Sequence, residues 1–218
     1  MKGRGLFIAG TDTGVGKTWT TLGLLRHLRG TGANAVGMKP VECGGREDAK
    51  AILSAGGLDD LDLVNPCWRS ETVAPAALTD APTIDFDVID AAFRLLASRH
   101  EIVLVEGAGG WLVPLDRDRT MADLAARIGL PVLVVAANRL GVLNHVLLTV
   151  RAIAASGLPC RGVYLNGFAG DNEDVSRSSN ARVLRECLDG LPVIEGAPSA
   201  LEGLLGERRG SAGAIDPL

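Results

Sequence analysis

The feature that most constrains this chain is the regular alternation of short apolar segments with longer segments of helical spacing. Short apolar runs bounded by glycine or proline are typical of buried strands. The predicted strands are Leu6–Ala9, Ala33–Met38, Ile102–Val105, Val132–Ala136, Arg161–Leu165 and Val193–Ile194. The predicted helices are Lys17–Arg29, Glu47–Ala55, Asp87–Arg99, Thr120–Ile128, Asn144–Ala155 and Ser176–Leu188. Because strands that alternate with helices form parallel sheets, we predict an α/β fold: a mostly parallel sheet of about six or seven strands with helices on both faces.

The composition is that of one domain with an aliphatic core. Of the 218 residues, 47% are hydrophobic and only 4% are aromatic, so Val, Leu, Ile and Ala must fill a core on both faces of the sheet. We therefore expect a single domain over residues 1–218. Prolines at 66, 75 and 82 predict irregular structure between Gly56 and Thr83, and the glycine-containing segment 206–218 is predicted to be a loose tail.

Charge and hydropathy argue against two classes of partner. The formal net charge is −4 and the sequence has no long basic run, which argues against binding of nucleic acid. No apolar run approaches the roughly 20 residues that span a bilayer, and the first apolar segment is too short for a signal peptide. We therefore expect a cytoplasmic protein without membrane contact. The four cysteines form no CxxC pair, which predicts reduced thiols rather than a zinc site or disulfides.

A glycine-rich segment, which we call the phosphate loop, extends from Gly10 to Thr18 between the first predicted strand and the first predicted helix. Glycines allow successive backbone N–H groups to face one cavity, and the helix N-terminus adds positive potential for phosphate. In such a loop Lys17 contacts the β- and γ-phosphates, and the Thr18 hydroxyl binds magnesium. The general pattern has glycine where this chain has Thr11. The Gly-Lys-Thr ending nevertheless predicts a site for a nucleoside triphosphate and its Mg²⁺.

Three charged residues are predicted to lie near this loop. Glu106 follows the strand Ile102–Val105 and precedes a glycine run, so it is predicted to be a metal-binding carboxylate at the carboxyl end of the sheet. Asp48, at the start of the second helix, is a further candidate metal ligand. Lys39 follows the second strand, and a second cation beside the phosphates suits phosphoryl transfer or an anionic intermediate.

Together these segments resemble the dethiobiotin synthetase family. The matching segments, in family order, are the phosphate loop, Lys39-Pro40-Val41, Val105–Trp111, Arg139-Leu140-Gly141 with Asn144-His145, and Asn166-Gly167. The resemblance implies ATP- and magnesium-dependent carboxylation of 7,8-diaminopelargonic acid by CO2 and its ring closure to dethiobiotin in biotin synthesis, by way of a carbamate and a carbamic–phosphoric anhydride. It also implies a homodimer.

By the same resemblance, the matching positions have expected roles. The expected catalytic residues are Lys17 and Lys39, of which Lys39 stabilises the carbamate and the anhydride. The expected nucleotide contacts are Gly14, Val15, Gly16, Lys17, Thr18, Trp19, Asp48, Glu106, Asn166, Gly167, Ala197 and Pro198. The expected magnesium ligands are Thr18, Asp48 and Glu106. The expected substrate contacts are Thr13, Lys39, Cys43, Gly109, Gly110 and Asn144, with Asn144 acting across the dimer interface.

The chain departs from the family pattern at a few positions, and other readings stay open. Cys43 stands where relatives usually have Ser or Thr, and the spacing from Lys39 to Asp48 is shorter than in some of them. A ParA/MinD-like ATPase switch has a similar loop and sheet, but its loop carries a lysine where this chain has Asp12. Amidating synthetases of cobalamin-type pathways need a glutaminase domain, for which this chain is too short. A family member that binds ATP without turnover is the remaining alternative.

Overall fold

The computed structural model describes residues 4–78, 83–167 and 174–205. The predicted tail at 206–218 and the proline at 82 lie outside the described residues. The strands are β1 (Arg4–Gly10), β2 (Ala35–Met38), β3 (Val41–Cys43), β4 (Cys67–Arg69), β5 (Ile102–Gly110), β6 (Val132–Ala137), β7 (Cys160–Asn166) and β8 (Val193–Ile194). The α-helices are α1 (Lys17–Gly30), α2 (Glu47–Gly56), α3 (Leu61–Val64), α4 (Phe86–Arg99), α5 (Met121–Ile128), α6 (Val142–Ala155) and α7 (Arg177–Cys187). Pro75–Ala77 and Pro198–Leu205 form 3-10 helices.

Six strands form one sheet in the order β2-β5-β1-β6-β7-β8, and each neighbouring pair is parallel. In the central strand, β1, Ile8 lies opposite Glu106 of β5 and Ala9 lies opposite Val134 of β6. After β1, the chain first forms β2 and β5 on one side of it and only then forms β6, β7 and β8 on the other side. The carboxyl end of β1 is therefore a topological switch point, where α/β proteins open a ligand crevice. The predicted α/β fold is confirmed.

Alternate residues of each strand face opposite sides of the sheet, so two apolar cores form. Phe7 and Ala9 of β1 belong to the core that packs under α4, α5, α6 and α7. Leu6 and Ile8 belong to the core that packs under α1 and the 3-10 helix Pro198–Leu205. Helices thus cover both faces, as predicted. No helix among the described residues is both long and apolar enough to cross a membrane.

Two segments differ from the sequence-based prediction. β5 does not end at Val105 but continues through Glu106 to Gly110, because Gly110 pairs with Gly10 of β1 after a shift in register that follows Glu106. The stretch predicted as irregular contains α3, β4 and a 3-10 helix. β4 pairs in parallel with β3 to form a second, two-stranded sheet. Each of these two strands is three residues long, too short to show a hydrophobic period.

Candidate active site at the carboxyl edge of the sheet

The phosphate loop is held in shape by glycines and by its close approach to β5. Gly14 and Gly16 have φ angles of 73° and 93°, in the left-handed region that side chains disfavour. Gly10 has no room for a side chain, since a Cβ atom there would lie 2.8 Å from the Lys17 Nζ and 3.0 Å from the Gly109 oxygen. Glycine at position 10, rather than at 11, is therefore what this packing requires.

Lys17, the first residue of α1, is buried beneath the loop. Its Nζ donates hydrogen bonds to the backbone oxygens of Asp12, at 2.9 Å, and Gly109, at 2.8 Å. Burial, together with the nearby charge of Lys39, lowers the pKa of Lys17 to about 8. The hydrogen-bond partners of the ammonium are thus neutral carbonyl groups. An anionic ligand can take their place.

Glu106 lies at the centre of the site and is fully buried. One carboxylate oxygen accepts hydrogen bonds from Thr18 Oγ1 at 2.7 Å and from Lys39 Nζ at 2.6 Å. The other accepts from Thr21 Oγ1 at 2.6 Å. Thr21 was missed by the sequence analysis, although it lies one turn after Thr18 and therefore on the same face of α1. The buried charge is thus compensated by a cation and two hydroxyls.

Lys39, at the end of β2, bridges the two candidate metal-binding carboxylates. Its Nζ lies 2.6 Å from Glu106 and 3.1 Å from Asp48 of α2, and it also donates to the Gly107 oxygen at 3.4 Å. Burial by itself would lower the pKa of Lys39, but the attraction of Glu106 and Asp48 outweighs it and the pKa is raised. Lys39 is therefore a firmly charged cation at the carboxyl edge of the sheet.

The residues at this point fit a magnesium ion. Hard cations of this size prefer carboxylate and hydroxyl oxygens. Thr18 and Glu106 are in hydrogen-bond contact, and Asp48 joins them through the Lys39 ammonium. Among the described residues no group of three or more His, Cys, Asp or Glu side chains could hold a metal. Such an ion would therefore share its coordination between these oxygens and the phosphates of a ligand.

Glu42, in β3, is a second residue that the sequence analysis missed. It is buried, and its carboxylate accepts hydrogen bonds from the backbone N–H groups of Asp48 at 3.2 Å and Ala49 at 3.1 Å. It therefore satisfies the first turn of α2, whose own N-cap residue, Arg46, forms no side-chain cap. An arginine at the N-cap was the available signal, because the first turn then needs an acceptor from elsewhere.

The opposite flank of the phosphate loop faces β7. The Asn166 Nδ2 donates to the Val15 oxygen at 3.1 Å, which ties the end of β7 to the loop. Beyond β8, Pro198 packs so closely on α1 that a Cβ atom on Gly23 would lie 2.6 Å from its Cγ. The structure thus places Asn166 against the phosphate loop and Pro198 against α1, while Gly167 and Ala197 are exposed.

Other predicted residues lie outside the hydrogen-bonded cluster. Thr13 is exposed at the loop tip, and its hydroxyl lies about 3.6 Å from where a Cβ atom of Gly109 would be. Cys43 is half-buried at the end of β3, where burial raises the pKa of its thiol. Asn144 is exposed in the first turn of α6 and makes no hydrogen bond with the cluster in the described part of the chain.

The chain matches known proteins over most of its length. Residues 4–197 match a family described as an AAA domain. The chain is 41% identical over 189 residues to the ATP-dependent dethiobiotin synthetase BioD of Akkermansia muciniphila, with 85% of this chain and 88% of that protein covered. It is 47% identical over 186 residues to the protein of the same name from Anaeromyxobacter dehalogenans, with 82% of each covered.

Solved structures show similarity of fold alone. The cell division protein FtsY of Thermotoga maritima superimposes with a TM-score of 0.54 at 17% identity, covering 94% of this chain and 69% of that one. The relatives named above are far more similar in sequence and align over most of both chains. The chain therefore belongs to the dethiobiotin synthetase family.

Proposed function

We propose that this protein carboxylates 7,8-diaminopelargonic acid with CO2 and closes the ureido ring of dethiobiotin at the expense of ATP. Membership of the family makes the chain an enzyme, an ATP-dependent ligase of biotin biosynthesis. The observation that carries the proposal is the position of Lys39. Its buried, charged ammonium joins Glu106 and Asp48 and lies beside the loop that holds Lys17.

The reaction needs stabilised charge more than it needs a nucleophile from the protein. An amine of the substrate adds to CO2 and loses a proton, which gives a carbamate. A carbamate oxygen then attacks the γ-phosphorus and ADP leaves. The second amine attacks the carbonyl carbon of the anhydride, the ring closes, and phosphate departs as the amine loses its proton. Phosphoryl transfer of this kind is accelerated by positioning and by fixed cations.

The side chains at the site can meet these needs. Lys17 can exchange its two carbonyl partners for phosphate oxygens. Its positive charge then compensates part of the negative charge of the triphosphate. Lys39 can donate to the carbamate and to the anhydride formed from it. Magnesium, held by Thr18, Asp48 and Glu106, would neutralise charge on the phosphates. Glycines of β5 bring backbone oxygens to both lysines, Gly109 to Lys17 and Gly107 to Lys39.

The ParA/MinD-like switch is less well supported. Asp12 occupies the position of the lysine that marks those loops. The two dethiobiotin synthetases, in contrast, align with more than four fifths of this chain. The same loop and sheet are therefore better interpreted as those of a diamine-dependent enzyme.

We also propose that two copies of the chain associate along α6. Asn144 is exposed there, and Leu148, four residues later on the same face, is 57% exposed. Leu140, just before the helix, is 80% exposed. Exposed leucines around a residue expected to reach a partner's substrate favour a buried interface at this surface.

The test is the dependence of phosphate release on both co-substrates. We expect MgATP to be hydrolysed at an appreciable rate only when 7,8-diaminopelargonic acid and bicarbonate are both present. Lys39→Met should reduce this rate by about a hundredfold to a thousandfold, because the variant loses a fixed positive charge that stabilises the transferring group. Lys50→Met, which removes an exposed lysine from α2, should leave it unchanged. ATP turnover that is indifferent to the diamine would instead support the switch.

A further inference from the structure

Lys39 lies in a two-residue link between the two sheets, where neither sheet pairs with its backbone. β2 ends at Met38, and β3 begins at Val41. Because Lys39 is buried, its backbone N–H and C=O need partners from another segment of the chain. The N–H donates to the Val64 oxygen at 2.9 Å, and the oxygen accepts a hydrogen bond from the Asn65 Nδ2 at 2.6 Å. Two consecutive residues thus hold the backbone of this lysine.

Asn65 is a buried amide with both of its ends engaged, and only 1% of the residue is exposed. Its Oδ1 accepts a hydrogen bond from the Arg46 Nε at 3.0 Å, and the same guanidinium donates to the Asn65 backbone oxygen at 2.9 Å. A carbonyl oxygen needs a donor and a guanidinium needs an acceptor, so the two partners fix which end of the amide faces Lys39. The opposite orientation would place oxygen against oxygen.

Arg46 connects this amide to the helix that carries Asp48. It is the N-cap residue of α2, and its guanidinium lies 5.6 Å from the centre of the Trp68 ring. Asn65 therefore joins the backbone of Lys39 to the start of α2. The side chains of these two elements meet in the ion pair between Lys39 and Asp48 at 3.1 Å.

We propose that Asn65 is a positioning residue for Lys39, because its amide fixes where the ammonium lies beside the phosphate loop. The inference rests on the proposed function, since it serves the step that Lys39 stabilises. The rate of such a step depends steeply on the position of a fixed charge, and a displacement of about 1 Å can cost about a hundredfold. Nucleotide affinity depends instead on the phosphate loop, to which Asn65 makes no hydrogen bond in the described part of the chain.

The first test separates rate from binding. Asn65→Ala removes the hydrogen bond to the Lys39 oxygen, so phosphate release at saturating MgATP, diamine and bicarbonate should fall about tenfold. The Kd of a non-hydrolysable ATP analogue with Mg²⁺, measured by calorimetry, should change by less than about twofold. A rate that stays at the wild-type level, or a Kd that rises as much as the rate falls, would overturn the inference.

Asn65→Asp tests the donor alone. The side chain keeps its size and an acceptor for Arg46, but it places a carboxylate oxygen against the Lys39 carbonyl. The rate should therefore fall at least as far as in Asn65→Ala. Full turnover in Asn65→Asp would show that the hydrogen bond to Lys39 is dispensable and would overturn the inference.

A double variant shows whether Asn65 acts through Lys39. In a protein that already carries Lys39→Met, Asn65→Ala should lower the remaining rate by less than about twofold, because the charge that the amide positions is gone. A purely structural role would leave the two losses independent. A further loss of about tenfold in the double variant would therefore overturn the inference.

Asn34→Ala is the matched control. The Asn34 amide also donates to a backbone oxygen, that of Arg99 at 3.0 Å, but at the opposite edge of the sheet. Rate and affinity should both stay at the wild-type level. Equal rate losses in Asn34→Ala and Asn65→Ala would show a general effect of stability and overturn the inference. A wild-type rate that is indifferent to the diamine would overturn the proposed function itself.

Discussion

The two flanks of the phosphate loop are built from different chemistry. On the β5 flank, Glu106 and Lys39 are buried charges, and hydroxyls and carbonyls complete their hydrogen bonds. On the β7 flank, the contacts are those of a neutral amide, Asn166, and of two stacked rings, Trp19 and Tyr164. The first flank is closed and polar, whereas the second is partly open and mostly apolar.

This difference between the flanks matches the different requirements of the phosphates and of the base and ribose of a nucleotide. A transferring phosphoryl group carries charge that must be met by cations fixed in advance, because reorganising them during the reaction would cost free energy. A base and ribose carry little charge, so neutral surfaces suffice. The contrast predicts that substitutions on the β5 flank affect both stability and turnover, while those on the β7 flank mainly affect affinity.

The largest effect is expected from Glu106→Ala on the β5 flank. The Lys39 ammonium would lose its nearest carboxylate and keep an ion pair with the partly exposed Asp48, and two threonine hydroxyls would lose their acceptor. We expect the free energy of unfolding, measured with urea, to fall by about 3–5 kcal/mol and phosphate release to fall at least about a hundredfold.

Two variants sharpen this test. Glu106→Gln keeps the size and one acceptor, so it should recover part of the stability but little of the turnover. Glu101→Ala removes an exposed glutamate just before β5 and should alter neither quantity. Full turnover in Glu106→Ala would show that the buried charge is structural only.

A smaller effect is expected from Glu42→Ala, which tests how the β5 flank is held from outside the main sheet. Loss of the two hydrogen bonds to the amides of Asp48 and Ala49 would loosen the first turn of α2. We expect turnover to fall about tenfold and the Mg²⁺ concentration for half-maximal rate to rise, because Asp48 would be less well positioned. Glu42→Gln should restore only part of the rate, because its amide keeps one acceptor and turns a donor toward the other backbone N–H.

Glu47→Ala is the matched control for that experiment, since Glu47 lies in the same turn but is exposed. An unchanged Mg²⁺ requirement in Glu42→Ala, with a lower melting temperature only, would limit Glu42 to a role in folding.

The smallest effect is expected on the β7 flank from Asn166→Ala. The variant loses one buried hydrogen bond to Val15, which corresponds to about 1 kcal/mol of unfolding free energy. Nucleotide affinity should fall roughly fivefold while the rate at saturating ATP stays near that of the wild type. Asn34→Ala, which removes amide contacts at the opposite edge of the sheet, should leave affinity intact. A rate loss in Asn166→Ala as large as that in Glu106→Ala would contradict the contrast between the flanks.

The sequence predicted the main sheet well because its strands are buried on both faces. Such strands appear as continuous aliphatic runs, as in Val132–Ala136, and the alternation with helices then sets the parallel order. Four site residues could be placed together for a related reason. Lys39 follows β2, Glu106 follows the aliphatic run of β5, and Lys17 and Thr18 begin α1 just after β1 and its glycine-rich turn.

The contacts that connect distant segments could not be predicted in this way. Glu42 caps a helix from a three-residue strand, and Trp19 stacks on Tyr164 across the sheet edge. Neither contact leaves a period in the sequence, because each depends on the three-dimensional path of a loop. The extension of β5 through its glycines was missed because glycine has low strand propensity and the pairing with β1 overrides it.

The contact between Gly23 and Pro198 has a consequence for how the protein is made. It joins the first helix to the last described element, so the β7 flank closes only after synthesis has passed Pro198. The phosphate loop leaves the ribosome long before that point. A nascent chain therefore carries the phosphate loop without its neighbours on the β7 flank until the segment at Pro198 can pack on α1.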